Sequence, residues 1–147
     1  MARAALFLAT AALSMVLPVA GPSASEPDTN DVRREIRLSP SEHDAIRAEM
    51  RTLLRSLGAV VQGLVGNDLL MVERAARAAG TASALGPEIA RGLPPEFVQL
   101  DARLHRRFEQ IAEAARAGKS ADLLKRVASV TGFCVTCHDT YRVERAR

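Results

Sequence analysis

The chain has 147 residues, with 20 Lys and Arg against 17 Asp and Glu, a formal charge of +3, no Trp and 3% aromatic residues. That length bounds it to one domain. Its basic residues alternate with acids instead of forming a block, and so few rings offer no base-stacking surface, which speaks against a nucleic-acid partner.

Taken in order, the chain opens on Met1-Ala2-Arg3, followed by an apolar run from Ala4 to Leu17 broken only by Thr10 and Ser14. Ser23-Ala24-Ser25 then fits a small-x-small cleavage site, so residues 1–25 read as a secretory signal peptide. The run is shorter than the roughly 20 residues of a membrane span, and no stable span is expected after cleavage. Residues 26–38 are polar with scattered charges and read as a loose lead-in. Residues 39–147 are expected to form the folded domain.

Ser39-Pro40-Ser41-Glu42 has the form of a helix start, with Ser39 as N-cap, Pro40 in the first turn and Glu42 three residues after the cap. Ile46, Met50, Leu53, Leu57, Val60, Val61 and Leu64 then recur at three- and four-residue steps as one apolar stripe, with Arg47, Glu49, Arg51 and Arg55 largely off it. Gly63 and Gly66 are expected to end this helix and Asn67-Asp68 to cap a second, running to about Leu85 on Leu69, Val72, Ala76 and Ala79. Gly86-Pro87 through Pro94-Pro95 is a breaker-rich connection. A third helix carries Phe97, Leu100, Leu104, Phe108, Ile111 and Ala115 on one face and ends at Gly118. A fourth, capped by Ser120, carries Leu123, Leu124, Val127, Val130, Cys134 and Tyr141. Nothing alternates strictly and no hairpin signal separates apolar runs. The fold class is therefore all-α, and four such helices with mostly short connections make an antiparallel four-helix bundle the natural architecture.

Chemistry concentrates in Cys134-Val135-Thr136-Cys137-His138, which holds the only two cysteines. Two thiols three residues apart with an imidazole directly after the second form the attachment pattern of a c-type haem. Both thiols add to the porphyrin vinyl groups as thioethers, and the adjacent His138 supplies the proximal nitrogen to iron. On a helix these residues can share a face. A thioredoxin-like pair normally sits at a strand-to-helix junction, which this pattern lacks, and zinc would need further ligands where only His43 and His105 remain. The leader and the motif support one another, because bacterial c-type haem is attached outside the cytoplasm. A porphyrin buried near one end of the bundle would also fill a core poor in rings.

The run Cys-Val-Thr-Cys-His-Asp-Thr-Tyr-Arg, ending at Arg142 on the last of four helices, resembles the class II cytochromes c, the group of cytochrome c prime and the low-spin cytochromes c-556. The resemblance covers the layout from about Ser39 to Arg142 and is sharp at the C-terminal motif. It implies a periplasmic mono-haem protein with one covalent haem c on Cys134 and Cys137. In such proteins a basic residue precedes the residue facing the distal side of the iron, and a Gly-polar pair follows about sixteen residues later. Arg47, Met50 and Gly66-Asn67 match that pattern, so the resemblance implies Met50 as distal ligand of a six-coordinate electron carrier rather than an enzyme. Where that residue is not a ligand, the family instead has the five-coordinate, gas-binding form, and that alternative stays open. No Trp or Lys signature aligns in the third helix. Homodimers through the first two helices are common in the group, and the small face around Ala75 to Ala79 would allow one. The redox partner proteins are not identifiable from these residues.

Other residues bear on the same site. His105 is the rival distal ligand; at 100° per residue it lies about 80° off the stripe of its helix, on a flank from which it could reach a propionate, a carbonyl or solvent. His43 reads as a surface residue. Arg142, one turn after His138, could pair with a propionate through its guanidinium fork or stay solvated at the helix end. Tyr141 reads as a packing residue. A haem-free thiol-redox or structural helical bundle is the reading from another class.

Overall fold

The computed structural model describes residues 30–146. The expected signal peptide lies outside the described residues, as does the start of the lead-in. From Val32 onward the chain forms one unit. Its elements are β1 (Arg34–Leu38), α1 (Pro40–Val65), α2 (Leu69–Ala78), α3 (Pro87–Ala90), α4 (Pro95–Arg116), α5 (Leu123–Thr140) and β2 (Tyr141–Arg145). The structure is thus mostly helical, with a small two-stranded sheet.

The starts of the first two helices follow local sequence chemistry. The Glu42 amide donates to Ser39 Oγ at 3.4 Å, and the Ser39 amide donates to the Glu42 carboxylate at 2.9 Å, a reciprocal capping box. Asp68 Oδ1 accepts from the Met71 amide at 2.9 Å and starts α2. α1 passes through Gly63, contrary to expectation, and ends at Val65 with Gly66 as cap. Gly63 has a packing role. A Cβ there would lie 2.8 Å from Val72 Cγ2 and 3.0 Å from the Val72 amide nitrogen, so its absence lets α2 cross close to α1.

α2 stops at Ala78 instead of Leu85. Were the helix to continue, the Ala79 carbonyl would accept from Ser83. Instead the Ser83 amide donates to Gly80 in a short 3₁₀ turn, and the Ala79 carbonyl accepts from the His105 ring at 2.9 Å. A tertiary partner has taken over the backbone acceptor. The breaker-rich connection holds the one-turn helix α3. α4 matches its expected span, and Gly118 follows it at φ +69°. Ser120–Asp122 is a 3₁₀ turn rather than the start of α5.

The lead-in is the clearest departure. Its last residues form β1, which pairs in parallel with β2 in the register Arg34 with Tyr141 through Leu38 with Arg145. A purely α-helical reading is corrected accordingly. The five-residue strand alternates, with Ile36 and Leu38 inward, but its partner lies about a hundred residues away, so no local hairpin signal announces it. The last helix also ends at Thr140. Tyr141 and Arg142 belong to β2, and the Tyr141 ring packs edge-on to Phe97 with centroids 5.3 Å apart.

Apolar packing divides into two clusters. Leu53, Val60, Val72, Ala76, Leu104, Phe108, Ile111 and Val130 join α1, α2, α4 and α5. Ile36, Leu38, Ile46, Leu93, Phe97 and Tyr141 seal the sheet against α1 and α4. Half-buried Met50 touches both. α1 packs closely on α2, α2 on α4 and α4 on α5, while α1 and α5 make few close backbone approaches. Ala76 and Ala79 are fully buried, so these two small residues pack inside the chain, while Ala75 is half-buried and Ala78 exposed. Among the described residues no helix is long and apolar enough to cross a membrane.

Candidate functional site

α5 presents the cysteine motif over its last two turns. Cys134 and Cys137, three residues apart, are both half-buried, whereas Val135, Thr136 and His138 are exposed. Helical spacing accounts for the thiols and for the two residues between them: positions three apart share a face, and Val135 and Thr136 turn outward. His138, four residues after Cys134, stands at the exposed edge of the same face. The Cys134 thiol lies 3.5 Å from the Val130 carbonyl, to which it donates. Burial raises the Cys134 thiol above its ordinary range. Cys137 is pushed up to about 11 by burial, reinforced by the negative charge of Asp101 and by Cys134. Both thiols are therefore held protonated, the opposite of the lowered values that make cysteines reactive.

Arg142 is not one turn above His138 on a helix. In β2 it pairs with Glu35 across the sheet and with Glu144 at 2.9 Å. Any propionate contact would have to be shared with those carboxylates. His43 is half-buried beside Asp44 rather than fully on the surface.

Residues from distant parts of the sequence meet in the interior. His105 is completely buried, not on a flank, with Glu49 and Asp101 each 8% exposed beside it. Its Nε2 lies 3.1 Å from Glu49 Oε1 and 3.4 Å from Asp101 Oδ1. Its Nδ1 lies 2.9 Å from the Ala79 carbonyl and so carries a proton that it donates there. Ser83 Oγ is a further 3.4 Å neighbour of Nδ1. Burial alone would lower the imidazole, but the hydrogen bonds to Asp101, Glu49 and Ala79 more than reverse that and push it up to about 10. Glu49 moves upward too, chiefly by burial and despite its bond to His105. Its second oxygen, Oε2, is buried with no hydrogen bond of normal geometry, and the Leu85 backbone is the least of the groups acting on the carboxylate.

The expected stripe on α1 missed Glu49 because it followed apolar letters. The residues that turn fully inward are Ile46, Glu49, Leu53, Ser56, Val60 and Gly63, at alternating three- and four-residue steps. Met50, Leu57 and Leu64 flank that seam, and Val61 is exposed. Glu49, Ser56 and Gly63 are therefore polar or small residues at core positions. The signal for the cluster was this carboxylate in the seam together with Asp101 and His105 one turn apart on α4. Compared with known protein families, curated proteins and solved structures, the chain gives no match, so its site is read from its own residues.

Proposed function

We propose that the chain is an exported mono-haem c-type cytochrome of the class II kind, an antiparallel bundle of α1, α2, α4 and α5 serving as a periplasmic electron carrier. The observation that carries this reading is the disposition of Cys134 and Cys137. Both thiols lie on one half-buried face of the last long helix, next to α4, with the imidazole of His138 following at once and free of the core. That donor set fits a covalent haem and its proximal bond. The limited approach of α1 to α5 is in keeping with a large flat group on that side of the bundle.

A bound haem would supply a one-electron iron couple. Cys134 and Cys137 would fix it covalently, and His138 would give the proximal nitrogen. Met50 is the better distal candidate. It is a half-buried thioether between the two apolar clusters, whereas His105 is fully buried and held among Ala79, Glu49 and Asp101. A methionine on that side favours reduced iron and raises the potential. The protonated state of the two thiols disfavours a thiol-redox role, which needs a thiolate. Exposed Leu54, Val61 and Val65 on α1, seven and four residues apart, would be the apolar contribution to a homodimer through the first two helices.

The test is spectroscopic. The full chain, produced with haem-maturation machinery, is expected to show a Soret band with a methionine-ligated low-spin signature in magnetic circular dichroism. Met50→Leu is expected to convert the ferric protein to high spin. Conversion by a His105 substitution instead would move the distal assignment to His105. A wild type already five-coordinate would favour the gas-binding alternative, and absence of covalent haem would overturn the cytochrome reading.

A further inference from the structure

Glu49 on α1 and Asp101 and His105 on α4 are not used by the haem reading. We infer that these three side chains form a structural site for one divalent transition-metal ion of the zinc type, tying α1 to α4 and to the end of α2.

The geometry comes first. One atom from each residue, the His105 Nε2 and one oxygen of each carboxylate, lies within 4.8 Å of the other two. The two distances from Nε2, 3.1 and 3.4 Å, are close to the roughly 3.3–3.6 Å that separates ligand atoms around tetrahedral zinc with bonds of about 2.0–2.2 Å. The third separation, between the two carboxylate oxygens, is within 4.8 Å.

The second observation is the Glu49 carboxylate itself. It is more than nine-tenths buried, its Oε1 faces Nε2, and its Oε2 has no hydrogen bond of normal geometry, the Leu85 backbone contributing least of the groups that act on the carboxylate. An unsatisfied carboxylate oxygen in the interior is costly, and a cation held by that carboxylate would offset the cost. His105 is also arranged as metal-binding histidines are. Its Nδ1 proton is given to a backbone carbonyl, which fixes the ring and leaves Nε2 as the ligating nitrogen.

Charge points the same way. Two carboxylates around one imidazolium leave a net negative charge in the core, which buried groups tolerate poorly. A divalent ion with a neutral imidazole and two carboxylates sums to zero. One nitrogen and two oxygens from the protein suit zinc or a neighbouring first-row ion. Calcium, which takes six to eight oxygens, is excluded by the shortage of donors. A water can complete the shell from the Asp101 side, where side-chain exposure is 10%.

The test uses the full exported chain stripped of metal with a chelator, with Zn²⁺ alone as probe and calorimetry as readout. One equivalent of zinc should bind, and Glu49→Gln should weaken binding by more than the roughly 10–100-fold that losing an outer-shell partner costs. Equal uptake by wild type and Glu49→Gln would overturn the site. Because a core variant can fail to fold, X-ray absorption at the zinc edge of loaded wild type provides a second decision. One imidazole with oxygen neighbours and no sulfur supports the site; a shell containing sulfur places zinc on the cysteines and overturns it. None of the three residues belongs to the haem motif, so loss of the haem reading leaves this result intact.

Discussion

The Cys134–His138 turn and the Glu49–Asp101–His105 cluster solve opposite problems. The first gathers its chemistry from five consecutive residues on the last turns of α5, with His138 exposed and the thiols half-buried. The second gathers side chains from α1 and α4, with Glu49 and His105 separated by 56 positions, and hides them in the interior. A local motif depends on the helix it rides on and little else. A non-local buried cluster depends on the whole fold, and the fold depends on it. Substitution of one histidine in each region separates the two kinds of dependence.

The largest effect is expected at His105. Its removal leaves two buried carboxylates facing each other without a cation and frees the Ala79 carbonyl that ends α2. Losing one partner of a buried charge group costs about 3–5 kcal/mol. Denaturant unfolding of His105→Ala should show a loss of that size, and a loss below about 1 kcal/mol would mean that the cluster relaxes into water and is not structurally demanding.

A smaller effect, drawn from the same interactions, is expected from pH. His105 in the metal-free chain is raised to about 10 against an ordinary value of 6.5. Below about pH 6.5 it is protonated in the folded and the unfolded chain alike, so its stabilisation is complete there. Between that pH and about 10 the folded chain holds a proton that the unfolded chain has released, and stability falls as pH rises. Glu49, also raised, acts in the same direction, because an upward-shifted carboxylate stabilises the fold less once ionised. Chelator-treated protein should therefore lose stability progressively from pH 7 to 10 through the His105 contribution. Its ring protons should show no NMR titration between pH 5 and 8. An ordinary titration near 6.5 would show that the carboxylates do not hold the proton.

The same contrast explains what was legible in the sequence. The capping box at Ser39, the Asp68 cap, the span of α4 and the motif on α5 were readable because each is decided by residues within a turn or two of one another. β1 was not, because a single short strand acquires meaning only when Tyr141–Arg145 lies beside it. The end of α2 is not legible locally, because a side chain from α4 competes for its backbone carbonyl. Glu49 falls off the stripe when apolar letters alone mark it, although its position in the three-four seam is correct for the core. The stripe of α4 turns His105 to a flank for a related reason. α4 packs against both α2 and α5, so its buried arc is wider than one stripe and includes Asp101, His105 and Ala112.

The smallest effect on folding is expected at His138, and it sharpens the contrast most. Its side chain is exposed, and beyond the helix its backbone carbonyl accepts from Arg33 at 3.4 Å. His138→Ala leaves that carbonyl in place and uncovers no core atom, so stability of the haem-free chain should change by no more than about 0.5 kcal/mol. The proposed function nevertheless makes it the proximal ligand, and the spectrum of the haem-loaded variant should lose its low-spin features while its thioether bonds remain on Cys134 and Cys137. A residue that matters to the spectrum and not to the fold is what a local attachment motif predicts. If His138→Ala instead unfolds the haem-free chain as His105→Ala does, the end of α5 is part of the core, and the two regions are one.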